Sequence, residues 1–162
     1  MLVKRILVPV DFSKDSLNAV TYAAEFAQPF GAELLLLYVV EPIYYATPTD
    51  PYAVNANVAM LIEEQRRLGE QQLARIGADL EKKGQRFRAL IKSGSPPQQI
   101  TDTAKRQHVN LIIMATHGRT GLAHMFMGSV AEKVVRTASC PVLTVRAAAK
   151  QGKGTTKVAK SC

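Results

Sequence analysis

Residues Ile112–Val130 read IIMATHGRTGLAHMFMGSV. An apolar run breaks at His117-Gly118, Gly121 and Gly128 follow, and Ser129 opens SVAEKVVRTAS, in which Val130, Val134 and Ala138 share one helical face. A strand that passes through glycines into a helix is one half of an alternating strand–helix chain. Two readings of the glycines compete. They either supply the turns of a connecting loop, or they hold a phosphate at the start of the helix.

Working outward, five apolar runs read as strands: RILVPV (5–10), AELLLLYVV (32–40), QRFRALI (85–91), VNLIIMA (109–115) and PVLTVR (141–146). Four are nearly continuous, the pattern of parallel strands covered on both faces. The third alternates Arg86 and Arg88 with Phe87 and Ala89 and reads as an edge strand. Helical patterns fill the gaps. Ser13 is placed to cap a helix with Leu17, Val20, Ala24 and Ala27 on one face, ended by Gly31. A long helix spans about Val54 to Lys83, with Leu61, Leu68, Leu73, Ile76 and Leu80, and Gly84 closes it. Ser95-Pro96 opens a third helix, and Gly128-Ser129 opens a fourth. Regular alternation of this kind predicts an α/β domain with right-handed crossovers. Residues 41–59, with three prolines and three tyrosines, read as a long irregular connection.

Composition agrees with one soluble globular domain. The chain has 162 residues, 47% hydrophobic and 21% charged. No stretch reaches the roughly 20 apolar residues that span a bilayer. Lys4 and Arg5 interrupt the first apolar run, so it reads as a strand and not a signal peptide, and a cytoplasmic location is expected. Cys140 and Cys162 form no metal-binding spacing; Cys140 reads as a packed residue and no metal site is expected. The formal charge is +8, but Lys150, Lys153, Lys157 and Lys160 lie in the tail. Removing these four from the 21 basic residues leaves 17 against 13 acids, or +4. Residues 1–147 are therefore expected to form the domain, and 148–162 a basic, disordered tail. The tail is expected to be solvated, with neither nucleic acid nor membrane as a partner.

In an open parallel sheet, ligands bind beyond the carboxyl ends of the strands where strand order reverses. Asp11 follows the first strand, Val39 to Glu41 end the second, and Ala115 to Gly121 follow the fourth. If the first and fourth strands are neighbours, these share a crevice. Helix-start amides at Gly128-Ser129 would attract an anion, the serine hydroxyl can donate to it, and Arg119 can add charge. Neither a P-loop lysine nor a dinucleotide glycine fingerprint after the first strand is present.

ILVPVDFS, LLLLYVVEP and MATHGRTGLAHMFMGSVAEKVVRTASCPVLTV together resemble the universal stress protein family of the UspA type over about residues 2–146. The resemblance implies a five-stranded parallel sheet with helices on both faces, Rossmann-like and adenine nucleotide alpha hydrolase-like, in a single domain. It also implies a homodimer paired through the last strand, residues 141–146. The nucleotide-binding branch carries G-x-x-G, nine residues, then G-S/T. Here Gly118, Gly128 and Ser129 match, and Ala115 stands where the first glycine would be. The implied ligand is ATP, or AMP or ADP, with Mg²⁺ able to accompany it. The implied nucleotide-binding residues are Pro9, Val10, Asp11, Val39, Met114, Ala115, His117, Gly118, Arg119, Gly128, Ser129, Val130 and Ala131. Asp11 would read adenine or ribose hydroxyls, the Val39 backbone would meet adenine, and Gly128 to Ala131 would hold phosphates. No catalytic residue is implied beyond, at most, slow ATP hydrolysis. A dimeric interaction module of the same fold that binds no nucleotide is the alternative. The plainer readings of the residues stay open: Asp11 as a turn cap, Val39 as core, His117 as a surface residue, and Gly128-Ser129 as an ordinary helix start.

Overall fold

The computed structural model describes residues 2–41, 53–117 and 127–146. Gly118, Arg119, the rest of 118–126, residues 42–52 and the tail from 147 lie outside the described residues; of the connection expected over 41–59, residues 53–59 instead open a helix. Five strands, β1 (Arg5–Val10), β2 (Glu33–Val40), β3 (Phe87–Ser93), β4 (Leu111–Ala115) and β5 (Val142–Val145), form one sheet in the order β3-β2-β1-β4-β5. All pairings are parallel. The connecting helices are α1 (Lys14–Ala27), α2 (Ala53–Lys82), α3 (Pro96–Arg106) and α4 (Ser129–Thr137).

The nearly continuous apolar runs are continuous because both sheet faces are covered. Ile6, Val8, Leu34, Leu36, Tyr38 and Ile113 pack with α1 and α2 on one face. Leu7, Leu35, Leu37, Ile112 and Met114 pack with Ile100 and Ala104 of α3 and Ala131 and Val134 of α4 on the other. Alternation along each strand divides its residues between the two layers. Cys140 packs at the second layer, and burial pushes its thiol above the ordinary value.

Local chemistry sets the element ends, with several differences from the expected boundaries. α1 stops at Ala27 and passes into a 3₁₀ turn, Gln28–Phe30; Gly31, at φ 57°, ends that turn and not the α-helix itself. Gly84, at φ 69°, follows α2. β3 begins two residues later than its apolar run and ends at Ser93, and it is an edge strand as its arginines predict.

Three leucines correct the expected helix faces. Leu17 is 40% exposed, and Leu61 and Leu68 are 52% and 47% exposed, whereas Leu73 and Leu80 are buried. At 100° per residue, Leu61 and Leu68 lie about a third of a turn from the Leu73–Leu80 line. Length adds to this. α2 has 30 residues and is about 45 Å long, while the eight residues of β2 reach about 26 Å. Gly77 of α2 backs onto Phe87 at the start of β3, and Gly69 onto Tyr38 near the end of β2. The turns before Ile62 therefore run past the carboxyl edge of the sheet.

Candidate functional site

The carboxyl edge opens between β1 and β4. Their ladder pairs Ile6 with Leu111 and Leu7 with Ile112 and, among the described residues, does not continue into the carboxyl halves of the two strands. By contrast β1 and β2 pair along their whole shared length, to Val10 opposite Tyr38. The chain leaves β1 for α1 on one face and β4 for α4 on the other. This is the point where strand order reverses, the place at which open parallel sheets bind their ligands.

At the end of β4, Thr116 donates its N–H to the Val145 carbonyl at 3.1 Å, and its own carbonyl accepts the Gly128 N–H at 2.8 Å. The chain thus returns to the strand end it left. Gly128 is the N-cap of α4 at φ −58° and ψ 147°. These angles suit any residue, so its glycine has another cause. A Cβ there would sit 3.0 Å from the Thr116 carbonyl oxygen and 3.7 Å from His117 Cα. The missing side chain makes room for the protein's own backbone, a different reason from the phosphate approach expected of it. The Gly128 amide is likewise occupied by Thr116 and is not a donor to a ligand.

The donors begin one residue later. The Glu132 N–H closes the first turn of α4 on the Gly128 carbonyl at 2.9 Å. The amides of Ser129, Val130 and Ala131 precede it, and α-helix geometry gives them no intrahelical acceptor. Among the described residues, no side chain caps this helix start. Val130 and Ala131 share a hydrophobic cluster with Val39 and Met114. Pro9 follows Leu7 by two in β1 and faces the same layer. The structure therefore gathers Pro9, Val39, Met114, Val130 and Ala131 on the α3/α4 face.

Val10 and Ala115 do not join them. Val10 packs in the α1/α2 layer, and Ala115 follows Ile113 by two, so it faces that layer too and is 8% exposed. Among the described residues, Phe12 and His108 are the non-glycine residues with positive φ, so Ala115 is not in the left-handed region. His117 lies at the end of β4, with Nδ1 3.0 Å from the Thr116 hydroxyl. Gly118 and Arg119, both expected at the site, lie outside the described residues.

Asp11 follows β1 and is built into the next turn. Its Oδ1 accepts the Ser13 hydroxyl at 2.6 Å and the Ser13 N–H at 3.0 Å. The Ser13 hydroxyl in turn accepts the Ser16 N–H at 3.2 Å, as an N-cap does. The turn-cap reading of Asp11 is thus realised, and the same contacts fix its carboxylate at the crevice end of β1. Two participants escaped the sequence reading. Thr116 closes the loop through its backbone, which leaves no mark on residue type. Phe12 stands at φ 64°, a conformation that costs an ordinary residue about 1–2 kcal/mol, and nothing in DFS announces it.

A model of the Universal stress protein family matches residues 2–146. A universal stress protein of Methanocaldococcus jannaschii, MJ0531, is 32% identical over 145 residues, covering 90% of this chain and 83% of its own. The structure of the universal stress protein UspA from Lactobacillus plantarum superposes with a TM-score of 0.81 at 28% identity, covering 90% and 99% of the two chains. More distant structures share the fold. One is a family protein of Arabidopsis thaliana with AMP bound, at TM-score 0.63 and 23% identity, covering 94% and 97%. Another is a protein of Archaeoglobus fulgidus in complex with dAMP, at TM-score 0.60 and 21% identity, covering 89% and 98%.

Proposed function

The chain belongs to the universal stress protein family, and from that premise we propose that it is an adenine-nucleotide-binding regulatory protein of the stress response, acting as a dimer. One observation carries the reading. Among the described residues, the start of α4 has no side-chain cap, and it stands at the carboxyl edge where β1 and β4 cease to pair. Amides so placed, with the helix dipole behind them, favour an anion. AMP and dAMP in solved proteins of this fold name a class of anion that suits it.

In this proposal ATP lies along the carboxyl edge. Ser129, Val130 and Ala131 donate amides to its phosphates, with the Ser129 hydroxyl beside them. Gly118 and Arg119 belong to the phosphate turn, and His117 to the ribose side. Pro9, Met114 and the Val39 backbone border the nucleoside, and Asp11 accepts its hydroxyls or amine. AMP and ADP are shorter occupants of the same crevice, and Mg²⁺ would accompany the triphosphate. Asp11 is the one carboxylate in this set, so the reading includes no rapid phosphoryl transfer, which needs carboxylates to hold the metal and a positioned base.

The dimer is proposed through β5. Of the two sheet edges, β3 carries Arg88 and Lys92, charges that discourage strand addition. β5, VLTV, carries none, and all four of its residues are half-buried.

The test is direct. Purified protein is denatured, the released small molecules are chromatographed, and refilling with ATP is followed by calorimetry. Released adenine nucleotide, or ATP affinity in the micromolar range, supports the proposal. An empty preparation with no affinity at millimolar ATP overturns it in favour of the interaction module.

A further inference from the structure

A second concavity lies on the other side of the sheet. It is a cleft of about 540 Å³ between the β1–α1 turn and α2. Its floor is aromatic: the Phe12 and Tyr38 rings lie with centroids 4.7 Å apart at 46°. Its α2 wall carries Gln65, Leu68 and Gln72. Tyr38 belongs to the α1/α2 layer and Val39 to the α3/α4 layer, so this cleft and the nucleotide crevice open on opposite faces. The Asp11–Ser13 turn lines the cleft and is the element the two have in common.

Two independent irregularities meet at this place. Phe12 holds a positive φ, which sets its ring against Tyr38. Gly69 interrupts a long helix, and a Cβ there would run into the Tyr38 ring. A left-handed phenylalanine and a mid-helix glycine both work against stability, and both serve the position of one aromatic pair. Observed strain of this kind points to a binding surface held ready.

We propose that this cleft is a second binding site, for an uncharged planar heterocycle of nucleoside size. The volume falls within the range of small-molecule sites. The aromatic floor offers ring contacts, and the two glutamine amides offer donors and acceptors to a heterocycle's edge. Among the described residues, no lysine or arginine lines the cleft and Asp11 does. That charge pattern disfavours a phosphate, so the occupant differs in class from the ligand proposed for the α4 crevice. Shared use of the Asp11–Ser13 turn makes occupancy of one site felt at the other.

The experiment uses the full chain, isotopically labelled, titrated with adenosine with and without saturating ATP. Adenosine shifts the amide signals of Gly69 and Gln72 in both conditions. Leu68→Trp, which fills the cleft from an exposed position, weakens that binding about tenfold or more and leaves ATP affinity unchanged. Phe12→Gly relieves the φ and removes half of the floor, and it weakens adenosine to a similar degree. Shifts confined to Ser129, Val130 and Ala131, or no shift at millimolar adenosine, overturn the proposal. Wild-type adenosine affinity in both variants overturns it too. The adenosine titration without ATP stands by itself, so failure of the crevice to bind ATP is read separately from failure of the cleft.

Discussion

Two strand-to-helix turns sit side by side at the carboxyl edge, and they treat their helix amides in opposite ways. At β1–α1 the protein answers its own donors: Ser13 takes the Ser16 amide, and Asp11 takes the Ser13 amide and hydroxyl. At β4–α4, among the described residues, no side chain takes that role, and the N-cap is a glycine pressed against the Thr116 carbonyl. Both helices start at the same edge of the same sheet. Only residue chemistry separates a turn that is closed on itself from one that can accept an anion. The closed turn places a carboxylate at this edge; the open one leaves amides without an intrahelical acceptor. A nucleotide, with an adenosine end that wants acceptors and a phosphate end that wants donors, is matched to that polarity.

The contrast breaks most visibly at Gly128. Gly128→Val sets a branched side chain against a backbone oxygen that cannot swing aside. We expect a stability loss of about 1–3 kcal/mol, as for overpacking. The start of α4 is displaced with it, and ATP affinity falls about a hundredfold, or about 2.7 kcal/mol. Thermal denaturation and calorimetry below the melting temperature read the two effects separately. A folded variant that binds ATP like wild type would show that the open turn is not the anion site.

Asp11→Ala tests the other end. It removes the acceptor proposed for the nucleoside and loosens the Ser13 turn in one change. An affinity loss of about tenfold is expected, equal to about 1.4 kcal/mol. Ser13→Ala separates the two roles. It deletes the α1 cap, for about 1 kcal/mol of stability, but retains the carboxylate. ATP affinity should then change less than about threefold, under 0.7 kcal/mol. If Ser13→Ala weakens ATP as much as Asp11→Ala, the carboxylate acts by shaping its turn and not by contact.

The sheet was the most legible part of this molecule, because burial on both faces writes itself as unbroken apolar runs and an edge strand writes itself as arginines. Leu61 and Leu68 misled because their apolar pattern is real, but the part of α2 that carries Leu61 overhangs the sheet, and both leucines stand about a third of a turn from its packed face. At the site, glycine was legible and its purpose was not. Gly128 answers to Thr116, a contact between residues whose types do not require each other. The face on which a residue lands follows from strand register, which grouped Pro9, Val39 and Met114 and set Val10 and Ala115 apart. Phe12 shows the same limit in the backbone: a left-handed aromatic residue is imposed by its turn and left no trace in composition.

Ala115 yields the smallest effect and the sharpest comparison. The family pattern has glycine at this position, which raises two possibilities: a positive φ that alanine would strain, or a methyl that crowds the ligand. The structure removes the first, since Ala115 lies in β4 outside the left-handed region. It also weakens the second, since the residue faces the α1 layer beside Val145 and not the layer of Met114 and Val39. Ala115→Gly should therefore change ATP affinity by less than about threefold, or 0.7 kcal/mol. It should destabilise the fold by about 0.5–1 kcal/mol, through the added freedom of the unfolded chain. Paired titrations and melts of the two proteins decide this. A gain in affinity of tenfold or more would mean that the methyl reaches the ligand, and that the open turn at α4 extends back into the strand that precedes it.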